Sequence, residues 1–265
     1  MPPAIRIDDL TFTYPGAAEP VFSHLSLALP QGARCLLLGA NGTGKSTLLR
    51  LVAGRHMIPD HVVRVLGRPA FHDTTLAGEV AFLGGAFPFD ADIAVADILA
   101  ARPVMDPARR ARVLSILEVD RAWRMHRVSD GQRRRVQLLL DLERPLRVIL
   151  LDEVTADLDV LSRADLLRFL REESEERAVT IVYASHVLEG LGSWGTHLAF
   201  LSPGRLRRFA HLSEIAEITE IAERGAAGGA PRPGSPSPLH ELCEQWMRAD
   251  RAAAPSPARP ARPAR

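Results

Sequence analysis

The residues with the clearest chemistry lie at positions 39–47, where small residues lead into a lysine and two hydroxyl side chains. The run reads Gly39, Ala40, Asn41, Gly42, Thr43, Gly44, Lys45, Ser46 and Thr47. A glycine, four residues and then Gly-Lys-Ser is the P-loop pattern. In that pattern, backbone N–H groups surround a phosphate at the start of a helix, the lysine reaches the β- and γ-phosphates, and the serine hydroxyl ligates Mg²⁺. We therefore predict a nucleoside triphosphate site at this loop.

The elements on either side of this loop are those that a P-loop requires. Apolar residues at 35–38 predict a buried strand before it, and residues 48–52 predict a helix after it. The alternative is a glycine turn that merely joins a strand to a helix. Lys45 argues against it, because it is the only lysine among 33 basic residues. A planar guanidinium cannot replace a compact ammonium among phosphates, so the one retained lysine indicates where that difference matters.

Acidic and histidine side chains follow two later strands. The apolar run 148–151 ends in Asp152 and Glu153, and the run 179–184 ends in Ser185 and His186. A carboxylate at the end of a strand beside the P-loop can hold Mg²⁺, and its neighbour can orient or deprotonate a water. The alternative for the acids is an exposed pair in a loop. Parallel strands would bring His186 to the same edge of the sheet.

Two further positions leave alternatives open. Ser129, Gly131 and Gln132 stand at the start of a basic helix over 133–143. A hydroxyl and free N–H groups there can bind an anion, although a plain N-cap by Ser129 or Asp130 is the simpler interpretation from this segment alone. Tyr14 ends a strand just before a turn, where it either stacks on a purine or is a half-buried strand tyrosine.

The composition is that of a water-soluble protein and excludes a general polyanion binder. The chain has 265 residues and a net charge of +1, so we expect no direct nucleic-acid binding. Its two cysteines, Cys35 and Cys243, fit a reducing compartment, with Cys35 acting as a small core residue. No apolar run approaches the ~18 residues that a membrane span needs. We expect no integral membrane segment and a cytoplasmic or nuclear location.

With these motifs in this order, the chain resembles the ATP-binding cassette (ABC) ATPases over residues 4–210. The resemblance implies an α/β fold, namely the P-loop NTPase ABC ATPase fold with an antiparallel β subdomain, a small helical subdomain and a C-terminal helical tail. It assigns 1–222 to the ATPase domain, with the helical subdomain at about 90–130. The rest, 223–265, is predicted to hold a flexible linker, a short helix at 239–251 and a disordered tail. Within the helical subdomain, the run 109–112, Arg-Arg-Ala-Arg, is predicted to be a solvated helix face.

The same resemblance implies ATP and Mg²⁺ as cofactors and a role for each motif. By it, residues 39–47 are the Walker A loop, 128–132 the signature and 156–159 the D-loop. The single residues are Tyr14 as the adenine-stacking aromatic, Asp152 as the Walker B acid, Glu153 as the catalytic base, Asp159 as the D-loop acid and His186 as the switch histidine. Lys45 would offset developing charge, and Ser46 and Asp152 would hold the metal.

Shorter strings resemble the soluble, stand-alone branch of the superfamily. These are residues 70–74, 82–85, 128–137 and 194–198, which are similar to the CAF-type proteins linked to fungal transcription complexes and to plant non-intrinsic ABC proteins. Two positions depart from the wider family. Most ABC ATPases have a metal-binding glutamine at the end of the strand that here reads Phe-Leu-Gly-Gly at 82–85, and no glutamine occurs between Gln31 and Gln132. Asp130 replaces the usual second signature glycine and adds negative charge.

The resemblance implies an ATP-hydrolysing switch. Two copies, or this chain and a related ABC subunit, would form a two-fold dimer around two ATP molecules, with Ser129 and Gly131 of one chain facing the P-loop of the other. Closure would act on an unidentified protein partner, in transcription regulation by analogy. One alternative is the ATP-binding subunit of a membrane transporter, against which the missing glutamine argues. The other is a non-hydrolysing scaffold, which Glu153 and His186 oppose and Asp130 favours.

Overall fold

A computed structural model describes residues 2–85, 92–155, 158–186, 188, 190–227 and 237–253. The described strands are β1 Ile5–Phe12, β2 Phe22–Leu29, β3 Arg34–Gly39, β4 Val63–Val65, β5 Arg68–Pro69, β6 Val80–Leu83, β7 Val148–Asp152, β8 Thr180–Ala184, β9 His197–Ser202 and β10 Arg205–His211. The α-helices are α1 Lys45–Val52, α2 Val95–Ala100, α3 Pro107–Ile116, α4 Asp130–Leu142, α5 Val160–Arg177, α6 Ala216–Ala227 and α7 Pro238–Ala253. Across these ranges, no helix is both long enough and apolar enough to cross a bilayer.

The strands form two sheets. One has the order β2-β1-β4-β5 and is antiparallel, as the resemblance to the ABC ATPases implies. The other has the order β10-β9-β3-β8-β7-β6, in which all neighbours but β10 and β9 are parallel. The carboxyl ends of β3, β7 and β8 therefore lie at one edge. β8 pairs with both β3 and β7, so it separates the P-loop strand from the strand that ends in Asp152.

The six-stranded sheet separates two apolar cores, because successive side chains of a strand face opposite sides. In β3, Leu36 and Leu38 pack with residues of α4 and α5, while Cys35 and Leu37 pack with residues of α1, β1 and β2. Cys35 is buried and forms no disulfide, and burial raises the pKa of its thiol to about 12. It behaves as the small core residue predicted from the sequence.

The C-terminal helix α7 packs on the same sheet. Leu239 and Leu242 are buried, and the Trp246 ring contacts the Phe200 ring of β9 at a centroid distance of 5.0 Å. Helix α6 continues through Ala227, so the prediction of a linker from residue 223 is wrong for its first residues. Two alanines there favour the helix, and Gly225 alone does not end it. Residues 228–236 of the predicted linker and 257–265 of the predicted tail lie outside the described residues.

The arginine run of α3 is not the solvated face that its sequence predicts. Arg109 is only 5 % exposed; its Nη1 lies 2.6 Å from Glu173 Oε1, and its Nε donates to the Leu142 carbonyl. Arg110 Nε lies 2.6 Å from Glu143 Oε2. Of the three arginines in the run, only Arg112 is exposed, and it pairs with Glu172. Buried carboxylates on α4 and α5 draw the first two guanidinium groups inward, which no feature of the run itself reveals.

We predict that Arg109→Ala lowers the free energy of unfolding by about 3 kcal/mol, because the buried Glu173 carboxylate then keeps, among the described residues, only a longer contact of 3.8 Å with the half-exposed Arg177. The measurement is urea unfolding followed by circular dichroism. Arg248→Ala is the control, since it removes an exposed i, i+4 pair with Glu244 and should cost less than about 1 kcal/mol. Equal losses for the two variants would show that the buried pair has no special importance for stability.

Candidate nucleotide-binding site

The P-loop connects β3 to α1 and contains two glycines, Gly39 and Gly44, at which any side chain would force neighbouring atoms to move. A Cβ on Gly39 would lie 2.4 Å from the Leu201 carbonyl oxygen of β9 and 2.8 Å from the Thr43 hydroxyl. Gly44 is the N-cap of α1 with φ +96°, and a Cβ there would lie 2.6 Å from the Phe22 ring. Both contacts are too short for real atoms. The path of the loop is therefore set by close packing against β9 and β2.

The start of α1 is open to an anion. No side chain caps the helix, and its first turn carries no acid. Asn41 and Gly42 are exposed on the outer part of the loop. Unsatisfied N–H groups and the positive end of the helix dipole both favour a phosphate at such a position.

Lys45 is buried behind this loop, with 8 % of its surface exposed. Its Nζ donates to the carbonyl oxygens of Gly39, at 2.8 Å, and Ala40, at 3.0 Å. The Thr43 hydroxyl also donates to the Ala40 carbonyl, at 2.9 Å. Burial lowers the pKa of Lys45, while the carboxylates of Glu153 and Asp152 act in the opposite direction. The ammonium is thus held against the loop, between the P-loop backbone and the two acids.

Ser46 and Asp152 meet between α1 and the end of β7. The Ser46 hydroxyl donates to Asp152 Oδ1 at 3.1 Å. Hydroxyl and carboxylate oxygens are the hard ligands that Mg²⁺ prefers, so this pair fits the metal that the P-loop pattern implies. Within the described ranges, no group of three or more His, Cys, Asp or Glu side chains could hold a metal. An ion here would therefore need further oxygens from a nucleotide or from water.

Glu153 and His186 lie together at the same edge of the sheet. The imidazole Nδ1 is 3.5 Å from Glu153 Oε1, and both side chains are about half exposed. Glu153 has a left-handed backbone, φ +55°, and its N–H donates to the Ala184 carbonyl at 2.9 Å. That conformation costs a non-glycine residue about 1–2 kcal/mol, and strain of this kind is concentrated at functional sites. The structure thus brings together the acid and the histidine that the sequence places at the ends of β7 and β8.

One buried contact at this edge is not anticipated from the motifs. The Tyr183 hydroxyl hydrogen-bonds the Thr155 hydroxyl, and both residues are buried. The bond ties the segment just after Glu153 to β8, three residues before His186. A tyrosine within an otherwise apolar strand is the one signal in the sequence, because a buried phenol needs a hydrogen-bond partner.

Tyr14 lies beside the start of α1. Its hydroxyl is 3.1 Å from the Thr47 hydroxyl, and its ring makes edge contacts with Phe12 and His56 at centroid distances of 5.1 and 5.4 Å. The residue is partly buried, but β1 ends at Phe12, so Tyr14 does not end the strand as the sequence predicts. These contacts do not test whether Tyr14 stacks on a purine, so that role stays a prediction.

The predicted signature forms a separate group at the start of α4. Ser129 is the N-cap of a complete capping box, in which its hydroxyl accepts from the Gln132 N–H and the Gln132 side chain accepts from the Ser129 N–H. Ser129, and not Asp130, is therefore the N-cap, and the binding of an anion at this helix start stays a prediction. Gly131 and Arg135 line, with these residues, a surface concavity of about 300 Å³.

Asp159 belongs to this second group. It caps α5 by accepting from the N–H groups of Leu161 and Ser162, and it pairs with Arg135 of α4 at 2.9 Å. Hydrogen bonds from Ser162, together with Arg135, lower the pKa of Asp159 to about 2. Ala156 and Asp157 of the predicted D-loop lie outside the described residues. In the described part of the chain, no hydrogen bond of Ser129, Gln132 or Asp159 reaches the P-loop.

The family model described as "ABC transporter" matches residues 22–156. Among relatives, the chain is 46% identical over 224 residues to "ABC transporter I family member 21" of Arabidopsis thaliana, a match that covers 80% of this chain and 79% of that protein. It is 38% identical over 222 residues to "CCR4-associated factor 16" of Saccharomyces cerevisiae, which covers 77% of each.

A solved structure shares the fold. It is described as the dimeric structure of a post-hydrolysis state of the ATP-binding cassette MJ0796 bound to ADP and Pi, with a TM-score of 0.64, 21% identity and coverage of 78% of this chain and 98% of that one. The predicted P-loop α/β fold with an antiparallel sheet is thereby confirmed. Together, the family match and the identity to both relatives show that this chain belongs to the ABC transporter family through its ATP-binding cassette ATPase domain.

Proposed function

We propose that this chain hydrolyses Mg-ATP in a two-fold dimer, with each ATP held between the P-loop of one copy and Ser129 and Gly131 of the other. The strongest support is that the two groups predicted to bind phosphate have no hydrogen bond to each other among the described residues of one chain. The P-loop group contains an uncapped helix start and a buried lysine, whereas the signature group opens on a distinct concavity. A second copy related by a two-fold axis would bring one group of each kind to each ATP.

Within the P-loop group, each residue has a role that fits its contacts. The backbone of 39–47 and Lys45 would bind the phosphates, and Tyr14 would pack on the adenine. Ser46 and Asp152 would hold Mg²⁺, which when bound offsets charge on the phosphates. Glu153 would accept the proton of the attacking water, and the neighbouring His186 would contact the γ-phosphate. Ser129, Gly131, Gln132 and Asp159 would complete the site from the second chain.

An exposed apolar pair lies where the second copy would dock. Val160 and Leu161 are 83 % and 76 % exposed, and they directly follow Asp159. Arg135 connects Asp159 to the helix that Ser129 caps, so the pair adjoins the signature group. Large apolar side chains that remain in water on one chain indicate a contact with another. We assign that contact to the same dimer.

The dimer would act as a switch for a protein partner. The name "CCR4-associated factor 16" describes the yeast relative as associated with another protein, and by analogy we propose such a partner here. A role in transcription regulation rests on this analogy alone. The glutamine that couples most ABC ATPases to transmembrane subunits is replaced by glycine, which disfavours a transporter subunit. We retain 1–222 as the ATPase domain and a cytoplasmic or nuclear location as parts of the proposal.

We predict that Glu153→Gln lowers phosphate release from Mg-ATP roughly 10²–10⁴-fold, the range expected when a general base is lost. The variant should still bind ATP and should elute as a dimer in Mg-ATP on size exclusion. Wild-type release per chain should rise with protein concentration. Glu223→Gln, the same change at an exposed helix position, is the control and should behave as wild type. A wild-type protein that binds ATP without releasing phosphate would instead be a scaffold.

We predict that the double substitution Val160→Ser and Leu161→Ser, made in the Glu153→Gln background, weakens the ATP-dependent dimer roughly tenfold or more. Each copy loses apolar surface that the other would bury. Sedimentation over a concentration series in Mg-ATP measures the change. Met105→Ser is the control, because Met105 is 66 % exposed and is not among the residues that line the concavity beside Ser129. If Met105→Ser weakens the dimer equally, or if the double substitution does not weaken it, Val160 and Leu161 are not part of the interface.

A further inference from the structure

The strand β6 ends beside the acid that would hold the metal. β6 and β7 are parallel with Leu83 opposite Leu151, so the next residue, Gly84, stands opposite Asp152. Gly84 is buried. A Cβ built on it would lie 2.6 Å from the Asp152 Cβ, 3.3 Å from Asp152 Oδ2 and 2.9 Å from the Phe82 ring. The backbone of Gly84 is thus packed directly against the Asp152 side chain.

This glycine is required for space and not for conformation. Its φ lies outside the left-handed range, so any residue could adopt its backbone. The obstacle is the Asp152 Cβ, which can move only with the backbone of β7. The other neighbour is also held, because the Arg55 guanidinium lies 4.5 Å from the centre of the Phe82 ring. A methyl group at position 84 would therefore shift Asp152 or separate β6 from β7.

We propose that Gly84 is a positioning residue for the metal site. By carrying no side chain, it lets Asp152 lie close to the end of β6, where Oδ1 accepts from Ser46 at 3.1 Å. It also excludes a metal ligand from position 84, because any such side chain begins with the Cβ that meets Asp152. The packing at this edge of the sheet therefore leaves no room for the glutamine that most ABC ATPases have here. The inference rests on the proposed function, since it concerns the same Mg-ATP site.

The test is the Mg²⁺ dependence of nucleotide affinity, which is measured without hydrolysis. A fluorescent ADP analogue is titrated into wild type, Gly84→Ala and Gly78→Ala, each in Mg²⁺ and in EDTA. Gly78→Ala is the matched control, because a Cβ there meets nothing within 4 Å and its φ is not left-handed. Thermal unfolding of each variant is followed in parallel.

For Gly84→Ala, we expect the Mg²⁺ concentration that gives half of the metal effect to rise roughly 10–100-fold, as for loss of a group that supports a metal ligand. The affinity in EDTA should stay within about twofold of wild type, because the P-loop backbone and Lys45 are untouched. Gly78→Ala should match wild type in both conditions. An unchanged Mg²⁺ response, or an equal loss of affinity in EDTA, would overturn the positioning role.

A second variant keeps the test decisive if Gly84→Ala does not fold. The double variant Gly84→Ala with Phe82→Leu removes the tip of the ring, keeps an apolar side chain in the core and leaves the contact with Asp152. Because leucine retains most of the buried apolar volume, this variant should be more stable than Gly84→Ala and still lose the Mg²⁺ response, and a normal response would overturn the proposal. If the wild-type protein binds no nucleotide, the proposed function is wrong. If the wild-type protein and the Gly84 variants show the same normal Mg²⁺ dependence, only the positioning role of Gly84 is wrong.

Discussion

The hydrogen bond from Ser46 to Asp152 is the contact on which the site depends. It joins the first turn of the P-loop helix to a strand two positions away from β3 in the sheet. Three close contacts fix the segments that carry these two residues. Gly39 packs against β9, Gly44 packs against Phe22, and Gly84 packs against Asp152 itself. Because each is a close approach of backbone to a neighbouring strand or side chain, the sheet order and the P-loop path cannot vary independently. Glu153 and His186 lie at the same edge of the sheet.

Local patterns in the sequence predict the parts of the site that depend on short spacing. The run 39–47 indicates the P-loop because its glycines, lysine and serine act within one turn. The ends of the apolar runs locate Asp152 and His186 because parallel strands share an edge. The N-cap of α4 is predicted as Ser129 or Asp130 from residue type alone, and the structure selects Ser129. In each case the physical cause is contained within a few residues or within the direction of a strand.

Contacts between distant segments are what the sequence does not reveal. Arg109 stands in a run that looks solvated, yet its partner Glu173 is supplied by another helix 64 positions later. The bond between Tyr183 and Thr155 depends on the parallel pairing of β7 with β8, which are distant in sequence. Gly84 can be recognised as a missing glutamine only by comparison with the family, and its cause, the Asp152 Cβ, is visible only in three dimensions. The sheet order that places β8 between β3 and β7 has the same origin.

If one ATP site needs two chains, two inactive variants with different defects should restore activity when they are mixed. Lys45→Ala disables the P-loop, and Ser129→Arg blocks the signature group. When the two are mixed, heterodimers carry one intact site, so phosphate release should recover to roughly a quarter of the wild-type rate for random pairing and independent sites. Each variant alone should stay inactive. A mixture no more active than the sum of its parts would contradict a site shared between two copies.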